Sequence, residues 1–256
     1  MPTNNWTRDE LLLTFNLYCR LPFGKLHKGN SEIISLSQKI GRTPSAVAMK
    51  LVNFASFDPI QQARQIRGLG NTSRADRQIW DEFNANPEKL AFESQQAFTQ
   101  LSGDFPPAPE AEIEIQMPSG ATEATRLVRT RLVQSFFRNA VLSSYDFKCA
   151  ICVIDLPELM TASHIIPWSK NVERRADPRN GLCLCALHDR AFDRGLLSID
   201  DSFRVLLASR TRLHSSNNKM ATTAFTAVEG KMIYLPKRFA PDVEALSYHR
   251  ENIFKP

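Results

Sequence analysis

Two short cysteine motifs constrain this chain more than any other feature. Cys149-Ala-Ile-Cys152 is a C-x-x-C, and Cys185-Ala-Leu-His188 is a C-x-x-H more than thirty residues later. Paired knuckles of this kind supply four ligands to a tetrahedral metal ion, and thiolates with imidazole suit zinc. A chain that closes such a site must bring both knuckles together, whatever the intervening residues do. A second quartet, Cys149, Cys152, Cys183 and Cys185, would use a C-x-C and leave His188 free. The Cys185–His188 pairing is preferred because it mirrors the first knuckle, with Cys183 then a small buried apolar residue. The chain has five cysteines, an odd number, and the close spacing favours metal over disulfides.

The residues around the second knuckle read NGLCLCALHDRAFD, 180–193. The alternating Leu-Cys-Leu-Cys predicts a strand and Ala-Leu-His-Asp-Arg-Ala-Phe-Asp a helix directly after it. Between the knuckles, His164 sits in an apolar run that ends at Pro167, and Asn180 follows an Asp177-Pro178 turn. A lone histidine in such a run is normally a core residue. Here the two knuckles draw His164, Asn180 and Asp189 into one small strand–loop–strand–helix unit. An imidazole, an amide and a carboxylate in that unit suit hydrolysis.

The rest of the chain divides into two basic parts and an acidic strip. Residues 1–100 carry 12 basic and 9 acidic side chains, residues 101–125 five acidic and no basic ones, and residues 126–256 carry 20 basic and 13 acidic. Basic modules suit a polyanion. The strip SGDFPPAPEAEIEIQMPSGATE contains four prolines and two glycines, which predicts a semi-rigid linker. The expected layout is a helical domain over 1–101, a linker over 102–122 and a second domain over 123–256. No apolar run reaches membrane-spanning length, and the N-terminus lacks a basic start followed by an apolar stretch. The expected compartment is the cytoplasm.

In the first part, Thr7 is expected to cap one helix and Ser31 to open another. Gly41 ends that second helix, and Thr43-Pro44 begins a third. Helix, tight turn, helix is the helix-turn-helix pattern, which would turn Arg42, Ser45, Lys50 and Asn53 toward DNA. Two more helices are predicted near 74–84 and 87–101. In the second part, residues 122–145 predict a long helix with Leu127, Val128, Leu132, Phe136, Val141 and Leu142 on its buried face. Arg126, Arg129, Arg131 and Arg138 decorate that helix. LLSID and FRVLLAS predict a hairpin, KMIYL another strand, and VEALSYHRENIF a final helix.

The ordered motifs FFRNAVLSSYDFKCAIC, SHIIPWS and NGLCLCALHDRAFDRG, with the trailing LPKRF and LSYHRENIF, resemble HNH endonucleases of bacterial restriction type over roughly residues 126–255. Residues 1–100 more weakly resemble the N-terminal part of restriction proteins that share that domain. The resemblance implies an α+β fold: an all-helical, helix-turn-helix-like N-terminal domain and a C-terminal zinc-containing ββα-metal nuclease domain. It implies hydrolysis of double-stranded DNA with structural zinc and a catalytic Mg²⁺ or Mn²⁺. His164 falls on the family's general base, Asn180 on the asparagine that braces the loop, and Asp189 on the metal-binding histidine. Two departures stand out. Asp189 replaces an imidazole with a carboxylate, a better magnesium ligand. Ser163 stands where many relatives carry a histidine or aspartate, and Asp193 is a possible substitute ligand. In the alternative assignment, His188 binds the catalytic ion and the four cysteines bind zinc. Arg42, Lys50 and Arg138 are the expected DNA contacts. One active site per chain favours a homodimer for a double-strand cut. Rival functions are a zinc-stabilised, non-enzymatic DNA-binding regulator and a nuclease acting on RNA.

Overall fold

The computed structural model describes residues 5–65, 72–103, 121–215 and 218–256; of residues 121–124 only the backbone is described. Two compact units emerge, Met1–Ala140 with Glu173–Asp177, and Val141–Val172 with Pro178–Pro256. The linker expected over 102–122 falls almost wholly outside the described residues.

The first unit is helical. Helix α1 (Arg8–Arg20) starts at a capping box: Glu10 N–H donates to Thr7 Oγ1 at 3.2 Å, and Thr7 N–H to the Glu10 carboxylate at 2.7 Å. It buries Leu11, Phe15, Leu17 and Tyr18 and is the centre of the unit. Helix α2 (Ser31–Lys39) opens at Ser31 as its sequence predicts and is capped by Asn30, whose Oδ1 accepts from Glu32 and Ile33 N–H. Gly41, with φ of +66°, makes the left-handed turn. Thr43 then caps α3 (Pro44–Ala55) as its sequence predicts. Helices α4 (Pro59–Ala63), α5 (Arg74–Ala85) and α6 (Pro87–Ser102) complete this set. Phe15 is the hub of the core, with ring centroids 5.3 Å from Phe54, 5.0 Å from Phe83 and 6.4 Å from both Trp80 and Phe136.

Phe136 belongs to helix α7 (Ala121–Ser144), and the division between the units falls within that helix. Its buried apolar residues are Leu132, Val133, Phe136, Phe137, Ala140, Val141 and Leu142, a stripe at helical spacing. Val128, expected on that face, is 40% exposed because it lies a turn before the stripe begins.

The second unit starts at Val141, in the last turn of α7. Asp146 and Phe147 take positive φ, and Phe147 N–H reaches back to the Leu142 carbonyl, turning the chain sharply into the first knuckle. Strands β1 (Met160–His164) and β2 (Gly181–Cys185) pair antiparallel, Met160 opposite Cys185 and His164 opposite Gly181. Helix α8 (Ala186–Asp193) follows β2 with no intervening loop and packs on both strands. This is a ββα unit. Strands β3 (Leu197–Ile199) and β4 (Val205–Leu207) form the expected hairpin. KMIYL does not form a strand. It contributes one bridge, Met232 to Arg204, after which Tyr234 N–H turns to the Ala150 carbonyl. Short helices α9 (Ser209–Ser215) and α10 (Lys219–Ala224) and the final helix α11 (Val243–Asn252) complete the unit. The C-terminal tail crosses Gly195 so closely that a Cβ there would lie 2.1 Å from the Ile253 carbonyl oxygen, and Gly195 also has φ of +69°. Only glycine fits that crossing.

Candidate metal centre and active site

The two knuckles meet. Single ligand atoms from Cys149, Cys152, Cys185 and His188 all lie within 4.8 Å of one another. The knuckle turn is held by backbone bonds from Val153 N–H to the Cys149 carbonyl and from Cys149 N–H to the Ile154 carbonyl, each 2.9 Å. The register of β1 against β2 and the immediate start of α8 carry the second knuckle to the first. The donor set fits a tetrahedral ion. Zn–S bonds of about 2.3 Å imply sulfur–sulfur edges of about 3.8 Å and sulfur–nitrogen edges of about 3.6 Å. The observed values are 3.8 Å for Cys152 Sγ to Cys185 Sγ, and 3.5 and 3.2 Å from His188 Nδ1 to the sulfurs of Cys149 and Cys185.

His188 has its orientation set from behind. With Nδ1 facing the sulfurs, Nε2–H donates to the Ala224 carbonyl at 2.9 Å, the outer-sphere bond typical of a metal-bound histidine. Phe225 meets the same ring edge-on at 5.9 Å. Burial works to lower the His188 pKa, but hydrogen bonds with Cys149 and Cys185 outweigh it and carry it up to about 10. Hydrogen bonds with Cys152 and Cys185 push the Cys149 thiol below the ordinary range, while those with Cys149 and Cys185 push Cys152 above it. Three thiols this close cannot all ionise on their own, and a divalent cation among them removes the conflict. The cluster can therefore bind zinc. Cys183 is not part of it. It is fully buried, with its carbonyl taking the Ala150 N–H at 2.7 Å.

His164 lies at the other end of the hairpin. His164 lies four steps along the strand from Met160, whose partner is Cys185, so about 13 Å of strand lies between the cysteine cluster and His164. His164 is partly exposed and meets the edge of Trp168, ring centroids 5.6 Å apart. Asn180 is buried and bonds the chain just past His164. Ile166 N–H donates to Asn180 Oδ1 at 2.8 Å, Asn180 Nδ2–H donates to the Ile166 carbonyl at 3.1 Å, and Ile165 N–H donates to the Asn180 carbonyl at 2.9 Å. Asp189, partly exposed, follows His188 on α8, and Asp193 lies exposed one turn later. Ser163 is buried, and its Oγ finds no hydrogen-bond partner among the described residues.

Trp168, Ile166 and Ala224 join these sites without being metal or catalytic candidates in the sequence. Trp168 stands in IIPWS, four residues past His164, and an aromatic beside a solvent-facing histidine was a usable signal. Ile166 and Ala224 act through backbone atoms, which leave no mark on residue type.

The expected DNA contacts on the first unit need correction. Lys50 is 8% exposed, its Nζ 2.7 Å from Asp76, which is itself fully buried and also accepts from Asn53 Nδ2 at 2.8 Å. Arg42 donates from Nε and Nη2 to the two oxygens of Glu10, each at 2.8 Å, and from Nη2 to the Asn5 carbonyl. Its guanidinium also lies 4.9 Å from the centre of the Trp6 ring. The Arg42 hydrogen bonds hold the Glu10 carboxyl below the usual range. Both cations serve the interior of the unit, because the partners that chain folding brings to them are carboxylates. Ser45 and Arg138 are exposed.

No helix among the described residues is long and apolar enough to cross a membrane. No curated protein matches the chain. Residues 149–200 match the family model described as HNH endonuclease. That stretch begins at the first knuckle, ends just past β3, and holds the metal cluster, His164 and Asn180. With its ββα arrangement, this part of the chain is an HNH endonuclease domain.

Proposed function

We propose that the chain is a metal-dependent endonuclease that hydrolyses phosphodiester bonds in double-stranded DNA, in a restriction or phage-defence role. The observation that carries the reading is the coupling of His164 to Asn180. The buried Asn180 holds the two residues after a partly exposed histidine, its side-chain amide bonding Ile166 and its backbone carbonyl Ile165, which gives that imidazole a fixed place at the end of the strand. A binding module has no need of such a brace.

In this mechanism His164 takes a proton from the attacking water, a role that a neutral imidazole performs near pH 7. Asn180 holds the backbone of that histidine in position. Asp189, with Asp193 one turn away, offers carboxylate oxygens suited to a hard cation. A Mg²⁺ or Mn²⁺ ion bound there would stabilise the charge that builds on the phosphate and the leaving 3′-oxygen. Arg138 or an arginine of residues 174–179 adds phosphate contacts. Cys149, Cys152, Cys185 and His188 would hold zinc, which ties the hairpin to the helix and takes no part in hydrolysis. One active site per chain makes a homodimer the economical way to cut both strands.

The test is direct. Purified protein is incubated with unmodified and modified plasmid under Mg²⁺, Mn²⁺ or EDTA and run on a gel. Nicked or linear products that need the divalent ion are expected. Tight binding with no cleavage of any DNA, under any ion, would replace the nuclease with a regulator.

A further inference from the structure

Helices α9 and α10 form an arm with an unusual surface. Leu213 on α9 is 73% exposed and Met220 on α10 is 78% exposed, the two most exposed large apolar side chains among the described residues. From Phe203 to Val228 the chain contains no acidic residue, yet it carries Arg204, Arg210, Arg212 and Lys219. Arg210 and Lys219 are exposed and make no ion pair among the described residues. The base of the arm is firmly held. Thr211 Oγ1 donates to the Leu196 carbonyl at 3.0 Å, Arg212 Nε to Glu229 at 2.6 Å, and Thr222 Oγ1 to the Ser215 carbonyl at 2.6 Å. The bond from His188 Nε2 to the Ala224 carbonyl joins α10 to the metal cluster itself.

We infer that this arm is a DNA-deforming element, in which Leu213 and Met220 press as apolar wedges against base steps while Arg210 and Lys219 neutralise the flanking phosphates. Charge decides the partner. An acid-free basic segment fits a polyphosphate, and exposed Leu and Met side chains next to cations match the wedges that proteins use to unstack and bend a duplex from the minor groove. The rigid base gives the wedges something to push from. The inference rests on the nuclease reading and adds to it the means by which substrate is gripped and bent.

The experiment uses intact, zinc-loaded protein in the H164A background, so that the duplex stays whole, with 2-aminopurine placed at successive positions. Binding is expected to raise the fluorescence at one or two adjacent positions, and L213A/M220A is expected to abolish that rise and weaken binding at least about tenfold. R210A/K219A is expected to lower the slope of log K against log salt by about 1.8, two phosphate contacts' worth. All four positions are exposed, so unchanged melting and zinc content should accompany these losses. If the protein with His164 intact cuts DNA while L213A/M220A keeps full affinity and the full 2-aminopurine signal, the wedge is wrong and the nuclease reading stands. If the protein neither binds nor cuts any duplex, both fall together. Loss of self-association or of binding to anionic vesicles in L213A/M220A, with DNA binding unchanged, would assign the arm to a second copy or to a lipid surface and overturn the proposal.

Discussion

A histidine is a base, a ligand or a core residue according to what surrounds its two nitrogens, and three histidines here show three outcomes. His188 faces thiols with one nitrogen and a carbonyl with the other. His164 keeps part of its ring open to solvent. H164A should leave folding and zinc content intact, because His164 lies at the far end of the strand from the cluster. Cleavage should fall by about 10²–10⁴. D189A should also cut poorly, but high Mn²⁺ should restore part of its activity and none of that of H164A, since added metal cannot accept the proton. Equal rescue of both variants would remove His164 from the role of base. His249 is the core case. Its Nε2–H donates to the Phe192 carbonyl at 3.1 Å, Nδ1 accepts from Ser198 Oγ at 2.8 Å, and its ring stacks on Phe192 at 3.6 Å. Burial, helped by Arg250 and opposed by the Phe192 bond, lowers its pKa to about 4. The folded state therefore resists protonation. The stability this group contributes is complete above about pH 6.5 and is lost as pH falls toward 4, by up to about 3 kcal/mol. Melting followed from pH 7.5 to 4 should show that loss, and H249Q should flatten the His249 part of it. An unchanged profile in H249Q would place the acid sensitivity elsewhere.

At the scale of elements, the ββα unit is a hairpin with a helix attached, and two-stranded hairpins are marginal alone. Its strands are five residues each, so closure by the metal cluster should decide whether it forms. C149S should lose zinc and cooperative unfolding of the second unit, because metal binding and folding are one equilibrium there. C183S should keep one zinc per chain, since that thiol lies outside the cluster. Elemental analysis with calorimetry checks both. Zinc lost from C183S but retained in H188A would reinstate the four-cysteine site. Among the helices of the first unit, a charge reversal at Arg42 would set a carboxylate against Glu10. R42E is therefore expected to destabilise the unit, whereas a helix-turn-helix reading of the sequence expects it to disturb DNA binding alone.

For the whole molecule, the informative boundary is the one inside α7. Phe136 lies against Phe15 and Phe83 in the first unit, so a fragment that stops at residue 103 leaves an aromatic hub uncovered. A fragment of residues 1–140 should unfold cooperatively. The 1–103 fragment should lose several kcal/mol, of the order of the 3–5 kcal/mol that a buried Phe→Ala change costs, and should bind a hydrophobic dye. Equal melting temperatures for the two fragments would show that α7 adds nothing to that core.

What the sequence by itself determined here is local. Thr7 and Thr43 cap helices because a hydroxyl reaches an N–H three residues on, and Gly41 ends one because it tolerates positive φ. C-x-x-C and C-x-x-H spacings close a metal cluster because each knuckle is a single tight turn. The bracing role of Asn180 follows from the family resemblance and not from a local turn, since its partner Ile166 lies 14 residues earlier. Other features waited on partners distant in the chain. Lys50 was read as a DNA contact from its place on α3, and became an internal cation because folding brings Asp76, 26 residues later, against it. KMIYL has the composition of a strand, but after its single bridge to Arg204 the Tyr234 N–H turns to the Ala150 carbonyl, so the pairing stops at one bridge. The Ala224 carbonyl behind His188 could not be read from residue type, since every residue has a carbonyl. A hydrogen bond within one turn depends on the dihedral angles of a few residues, and sequence sets those. Which charge finds which partner across 26 or 36 residues depends on how whole elements pack, and only the tertiary structure decides that.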